Sequence, residues 1–227
     1  MLVASTTQPQ SPACRFSTNQ MADLTPQQYW NDRFGATDDL VYTDTVNRFV
    51  KELTEGLKPG KMIDLAGGEG RNAVYFAENK WQAENIDISN VGLTKFLKFA
   101  EERGVSEKVF ANCADATGFE SVLTPVDLGV VAYLQINQPD LADALDCLIE
   151  NIRKGGKLVG VWHSRDNMAN DYNGPRDADV RPSIDTITEM LADQPVEIEI
   201  LENRDGQVQT KDGLKPSVTL VLRATKL

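Results

Sequence analysis

The stretch KMIDLAGGEGRNAVYFA, residues 61–77, has the outline of a strand, a glycine-rich turn and a helix. Gly68-x-Gly70-x-x-Ala73 satisfies the pattern of a turn whose backbone comes close to a nucleotide-like ligand, and Asp87 follows the next strand at about the distance of a ribose-binding acid. By itself the match has low specificity. The turn is also acidic: Asp64 precedes it, Glu69 lies inside it, and Ala66 stands where many such loops have glycine.

That acidity bears on the ligand. A dinucleotide places an anionic pyrophosphate at the helix N-terminus, where unopposed N–H dipoles hold it. Asp64 and Glu69 bring one or two like charges close, and unit charges 4 Å apart at an effective dielectric of 20 repel by about 4 kcal/mol. A ligand with a nucleoside at one end and a cationic amine and sulfonium at the other has the complementary charge distribution, and S-adenosylmethionine (SAM) is that ligand. Asp64 is then placed to reach the ammonium directly or through water, and Asp87 to hold the ribose hydroxyls.

Outward from this turn the chain alternates short β-rich runs, at 61–66, 82–88, 107–112, 126–134 and 156–163, with amphipathic stretches. Leu93, Phe96, Leu97 and Ala100 form one apolar stripe, and Leu141, Ala144, Leu145, Leu148, Ile149 and Ile152 form another. VDLGVVAYL is nearly all apolar, as a strand covered on both faces of a parallel sheet should be. Upstream, Thr25, Pro26 and Gln28 predict a capped helix start, and Val46, Phe49, Val50, Leu53 and Leu57 a second helix stopped by Lys58-Pro59-Gly60. At the other end, PVEIEIL and KPSVTLVLRAT alternate in polarity around a connection containing Asp205-Gly206 and Asp212-Gly213, which predicts an antiparallel edge pair. The expected fold is an α/β, doubly wound, Rossmann-like seven-stranded sheet, mostly parallel, with helices on both faces.

MIDLAGGEGRNAVYFA resembles motif I of the class I SAM-dependent methyltransferases, in particular the tellurite-resistance and thiopurine-type group. AENIDIS is similar to the family's second-strand motif, NCADATGF to its third, PVDLGVVAYLQIN to its fourth strand and IRKGGKLVGVWHS to its fifth, covering roughly residues 25–225 in order. The resemblance implies cofactor contacts from Asp64, Ala66, Gly67, Gly68 and Gly70. It also implies a ribose contact from Asp87, an adenine face from Ile88, and adenine contacts from Asp115 and Ala116. Ala66 replaces the family's first loop glycine. With negative φ alanine fits there; with positive φ it costs about 1 kcal/mol or more.

Several residues keep two readings. His163, the only histidine, ends the fifth strand and is either a general base or a hydrogen-bonded loop residue. Tyr133, with Gln135 and Asn137, follows the fourth strand and either faces the methyl group or shapes the pocket; Tyr133 and His163 are the candidate catalytic residues. Asp115 either meets adenine or closes a capping turn. Arg71 and Asn72 read as structure. The long stretch 164–182 is a candidate lid, whose Arg165, Arg176 and Arg181 either attract an anionic acceptor or form a solvated loop with neighbouring acids. Trp30 and Arg33 either cover the cofactor site or pack on the sheet.

A chain of 227 residues with 41% hydrophobic content suits one core, so residues 21–227 are expected to form a single domain. Residues 1–20, rich in Ser, Thr, Gln and Pro, read as a disordered tail or an extension upstream of Met21. A net charge of −11 argues against nucleic acid and for a small-molecule methyl acceptor. Cys14, Cys113 and Cys147 have no metal-ligand spacing, so no metal is expected, and the absence of a disulfide framework fits a cytoplasmic protein. No apolar run reaches the roughly 18 residues of a membrane span. The acceptor and the oligomeric state are not legible. The competing functions are an NAD(P)-dependent oxidoreductase and a non-catalytic SAM-binding module.

Overall fold

The computed structural model describes residues 24–170, 174–210 and 213–227; the tail expected at 1–20 lies outside them. Among the described residues seven strands form one sheet in the order β3-β2-β1-β4-β5-β7-β6. They are β1 (Lys61–Leu65), β2 (Gln82–Asp87), β3 (Val109–Cys113), β4 (Val126–Ala132), β5 (Ile152–His163), β6 (Val196–Thr210) and β7 (Gly213–Lys226). The first five are parallel, and β7 runs antiparallel to both β5 and β6. Six α-helices accompany them: α1 (Pro26–Phe34), α2 (Arg48–Leu53), α3 (Arg71–Glu78), α4 (Asn90–Glu102), α5 (Gln138–Asn151) and α6 (Ile184–Leu191).

Strand parity divides the core in two. Met62 joins Phe49, Val74, Phe76 and Phe96 on the face covered by α2, α3 and α4. Its neighbours Ile63 and Leu65 join Leu141, Leu145, Leu148 and Ile187 on the face covered by α5 and α6. Burial on both faces is why these strands read as apolar runs rather than alternations. Asp64 falls on the first face by the same parity, beneath α3 and wholly buried.

Four boundaries differ from expectation for physical reasons. α2 ends at Leu53 because Thr54 Oγ1 turns back onto the Val50 carbonyl at 2.7 Å and Gly56 adopts φ 81°; Val46 and Leu57 pack on the core from outside the helix. On α4 the buried stripe includes Phe99 in place of Leu97, which is 47% exposed. Ile152 opens β5, paired with Val126, instead of extending the α5 stripe. Asp205-Gly206 lies inside β6, paired with Val218 and Ser217, and the β6–β7 pairing runs on to Thr210 and Gly213. Asp212 of the second expected turn lies outside the described residues.

The segment after β3 is pinned by a buried carboxylate. Glu84 on β2 accepts from Asn112 Nδ2 (2.9 Å) and the Val122 amide (3.3 Å) on one oxygen, and from Ser121 Oγ (2.6 Å) and the Leu123 amide (3.3 Å) on the other. Both oxygens face N–H donors, so an amide in this place must aim its own NH2 at one of them. Glu84→Gln is therefore expected to destabilise the protein by about 1–3 kcal/mol, read as a lower urea midpoint.

Candidate active site

The β1–α3 turn is held from below. Ala66, Gly68 and Gly70 have φ of 54°, 56° and 79°. Ala66 thus takes the left-handed conformation, the costlier of its two expected geometries. At Gly67 a Cβ would come 2.2 Å from Asn85 Oδ1 and 2.6 Å from Asp64 Oδ2, so only glycine fits. Asp64 and Asn85 are register partners across β1 and β2. Asn85 Nδ2 donates to the Gly68 carbonyl at 2.9 Å, while Asp64 accepts from Asn72 Nδ2 and the Ala73 amide, both at 3.3 Å. Burial pushes the Asp64 carboxyl up to about 6, with those two hydrogen bonds and the Arg71 charge working against it. The carboxylate expected to reach a ligand ammonium is engaged inside the protein, beneath the turn.

Glu69 also differs from the expectation that it would present free charge to a ligand. It is buried, accepts from the Val41 amide (3.0 Å) and the Tyr42 amide (3.1 Å), and pairs with Lys95 Nζ at 3.2 Å. Its charge is answered locally, so the electrostatic case against pyrophosphate loses one of its two acids.

Asp87 ends β2 beside the turn. Its oxygens accept from the Gly68 and Ser89 amides, each at 2.8 Å, and burial raises its pKa against those bonds. Ile88 is half-buried, and its carbonyl accepts from Gln27 Nε2 of α1 at 3.0 Å. One strand over, Cys113 pairs with Asp87 in register. Beyond it Asp115 is exposed and closes a tight turn by accepting from the Thr117 amide (2.9 Å) and hydroxyl (2.8 Å), with Ala116 half-buried between them. The structure thus brings Asp64, residues 66–70, Asp87, Ile88, Asp115 and Ala116 to the carboxyl edge of three adjacent parallel strands, where open α/β sheets bind their ligands.

The β4 and β5 ends supply the other wall. Tyr133 has φ 63°, and its ring lies 4.6 Å from the His163 ring and 5.8 Å from the Arg71 guanidinium. Gln135 accepts from the His163 amide (3.1 Å) and donates to the Val180 carbonyl (3.0 Å), joining β5 to the loop after it. Gly174 approaches so closely that a Cβ there would sit 2.6 Å from the imidazole Cγ. Burial, then the Arg181 charge, pushes the His163 pKa from 6.5 down to about 4. Asn137 does not join this wall; it caps α5 by accepting from the Asp140 amide. Of the loop arginines, Arg181 is buried and bonds the Pro175 carbonyl, Arg165 bonds the Arg181 and Ala178 carbonyls, and Arg176 is exposed. Residues 171–173 of the expected lid lie outside the described residues. Trp30 stacks on Phe34, whose ring seats against Gly68, and Arg33 bonds the Tyr42 hydroxyl. Among the described residues no group of three or more His, Cys, Asp or Glu side chains could hold a metal.

Asn85, Gly174 and Lys95 were not anticipated from sequence. Parity along β2 places Asn85 on the opposite face from Glu84, but only the inter-strand register sets it beside Asp64.

Residues 24–154, more than half of the chain, match the family described as tellurite resistance protein TehB. A tRNA 5-carboxymethoxyuridine methyltransferase of Escherichia coli (strain K12) is 30% identical over 105 residues, 46% of this chain and 40% of that protein. The chain thus matches less than half the length of that relative. The crystal structure of TehB from Haemophilus influenzae is similar with a TM-score of 0.68 at 15% identity, covering 87% of this chain and 67% of that one. A magnesium protoporphyrin IX methyltransferase from Synechocystis PCC 6803, solved with bound SAH, gives a TM-score of 0.60 at 14% identity, covering 79% and 80%. At these identities the two structures share the fold.

Relieving the left-handed alanine with Ala66→Gly is expected to raise stability by about 1 kcal/mol, seen as a higher urea midpoint at unchanged slope. For His163, burial disfavours the imidazolium. Between pH 6.5 and about 4 the unfolded chain binds a proton there and the native state does not, so stability from this site falls as pH drops through that window. Asp64, raised from 3.8 to about 6, acts in the opposite sense over its own window, its contribution falling as pH rises. An NMR titration of the single histidine is expected to show a midpoint near 4; a midpoint near 6.5 contradicts the burial argument.

Proposed function

The chain belongs to the TehB family of tellurite resistance proteins, and from that membership we propose that it is a class I SAM-dependent methyltransferase acting on a small-molecule acceptor by in-line displacement. The observation that carries this reading is the sheet order. A dinucleotide fold is built from two parallel mononucleotide-binding halves in the order 3-2-1-4-5-6. Here β7 enters antiparallel between β5 and β6, so β6 runs parallel to β5 without pairing to it, and the order departs from that of the dinucleotide fold. The residues expected to contact the ligand gather at the ends of β1, β2 and β3, an arrangement that suits a single nucleoside. This favours SAM over NAD(P).

In this reading the glycine turn, Asp87, Ile88, Asp115 and Ala116 hold the cofactor, and Asp64 positions the turn. The reaction needs the attacking atom held near 3 Å from the methyl carbon, in line with the sulfonium; such alignment is worth about 7–11 kcal/mol. A soft anion attacks unaided. A hydroxyl or protonated amine needs a base; His163, neutral at pH 7 with its ring against Tyr133, is a weak one, suited to a hydroxyl whose proton is lost only as the methyl bond forms.

The net charge of −11 supports a small acceptor, as does the engagement of Arg165 and Arg181 with backbone carbonyls. A nucleic-acid acceptor is the second reading, favoured by the match to a tRNA methyltransferase. Calorimetry is expected to detect SAM binding and no NADH binding, with Asp87→Ala weakening SAM by about 1–3 kcal/mol, roughly 5- to 150-fold. Incubating labelled SAM with metabolite and tRNA pools separates the acceptors by where label appears, and binding without transfer to either supports a non-catalytic module. With a hydroxyl acceptor, His163→Ala lowers turnover by about 10²–10⁴-fold at unchanged SAM affinity.

A further inference from the structure

Residues 35–47, between α1 and α2, contain no regular helix or strand, yet their anchors converge on the two loops that bracket the cofactor edge. Phe34 at the start of the segment packs against Gly68 and Gly92, where added Cβ atoms would lie 2.9 and 3.0 Å from its ring. At the far end the Asn47 amide donates to Asn72 Oδ1 at 3.1 Å. In the middle, the Val41 and Tyr42 amides converge on the Glu69 carboxylate, and Lys95 Nζ of α4 bonds both Glu69 and the Asp39 carbonyl, at 3.2 and 2.6 Å. Asn31 of α1 accepts from Ser89 Oγ at 2.7 Å, beside Asp87. The segment is therefore a strap tied to the turn at 68–72 and to the loop and helix at 89–95.

As Asn72 does at the start of α3, Glu69 of the glycine turn bonds the strap through its side chain. Its carboxylate accepts two backbone amides that have no helix or strand partner, and a lysine from a third element satisfies the same group. We propose that Glu69 is a positioning residue that latches this strap onto the cofactor turn, so that strap docking and SAM binding favour one another. The inference rests on the SAM reading above. Its physical content is reciprocity: a turn with three left-handed residues is restrained by the docked strap, and a ligand that holds the turn must in return stabilise the docked strap. An acid at this position then serves the cofactor without touching it.

The test uses the full chain with S-adenosylhomocysteine as probe. Amide hydrogen exchange at Val41 and Tyr42 is expected to slow on adding the probe to the wild type, and to speed up at least tenfold in ligand-free Glu69→Gln while core amides stay protected. The amide cannot accept both N–H groups and also carry the charge that Lys95 requires. The same variant is expected to release the probe at least fivefold faster in stopped-flow, and Lys95→Met to shift both readouts in the same direction with Glu69 intact. Unchanged exchange at Val41 and Tyr42 in both variants overturns the latch; faster exchange with unchanged probe release overturns its link to the cofactor. A wild type that ignores the probe overturns the SAM reading instead, and the ligand-free exchange still decides whether the carboxylate holds the strap.

Discussion

The site depends on one buried carboxylate. Asp64 has no exposed surface and no cationic partner in hydrogen-bond contact; it is held by the Asn72 amide group and the Ala73 N–H at the first turn of α3. Those groups belong to the helix start, where unsatisfied N–H groups and the helix dipole favour negative charge. The carboxylate fastens α3 to the end of β1, and the chain between them has only residues 66–70 in which to reverse. That length forces left-handed conformations on Ala66, Gly68 and Gly70, and it brings Gly67 so close to Asp64 and Asn85 that a side chain is excluded. The cost of burial is visible in the raised Asp64 pKa.

The acids around the turn divide the work by depth. Asp64 lies underneath, Asp87 props the turn from the side by accepting the Gly68 amide, and Glu69 faces away toward residues 39–42. Clustered like charges are tolerated because each has its own donors, and Lys95 neutralises the outermost. The acidity that first suggested a cationic ligand is thus chiefly a means of fixing backbone.

The sheet was legible because strands buried on both faces carry unbroken apolar runs, and because Thr25, Pro26 and Gln28 form a local cap that the structure reproduces down to its reciprocal hydrogen bonds. Adjacent-strand placement of Asp64, Asp87 and Asp115 at one edge followed from the same pattern. What escaped was long-range. The partners of Glu69 lie 26 to 28 residues away, and no local spacing announces them. Asp205-Gly206 looked like a turn by composition, but pairing across β6 and β7 extends past β5 and overrides it. Leu97 and Phe99 both suit an apolar stripe one residue out of phase, and only the packed neighbours of α4 choose between them.

The β4 and β5 ends impose a further constraint on chemistry. Tyr133 is a bulky residue at positive φ, a conformation costing on the order of 1–2 kcal/mol, and it persists because its amide bonds the Val161 carbonyl while its ring lies against His163. The same contact, with Gly174 close against the imidazole, strips water from the ring and holds it neutral. In the methyl transfer proposed above, a neutral imidazole with a low pKa is a weak base, suited to an acceptor whose proton is lost late, as the transfer builds positive charge on the attacking atom. For an acceptor that is already anionic the same ring offers an uncharged wall that neither repels nor binds the nucleophile. The strain at Tyr133 therefore fixes the geometry of the β4 and β5 ends in advance, which is what the proposed alignment-driven catalysis requires.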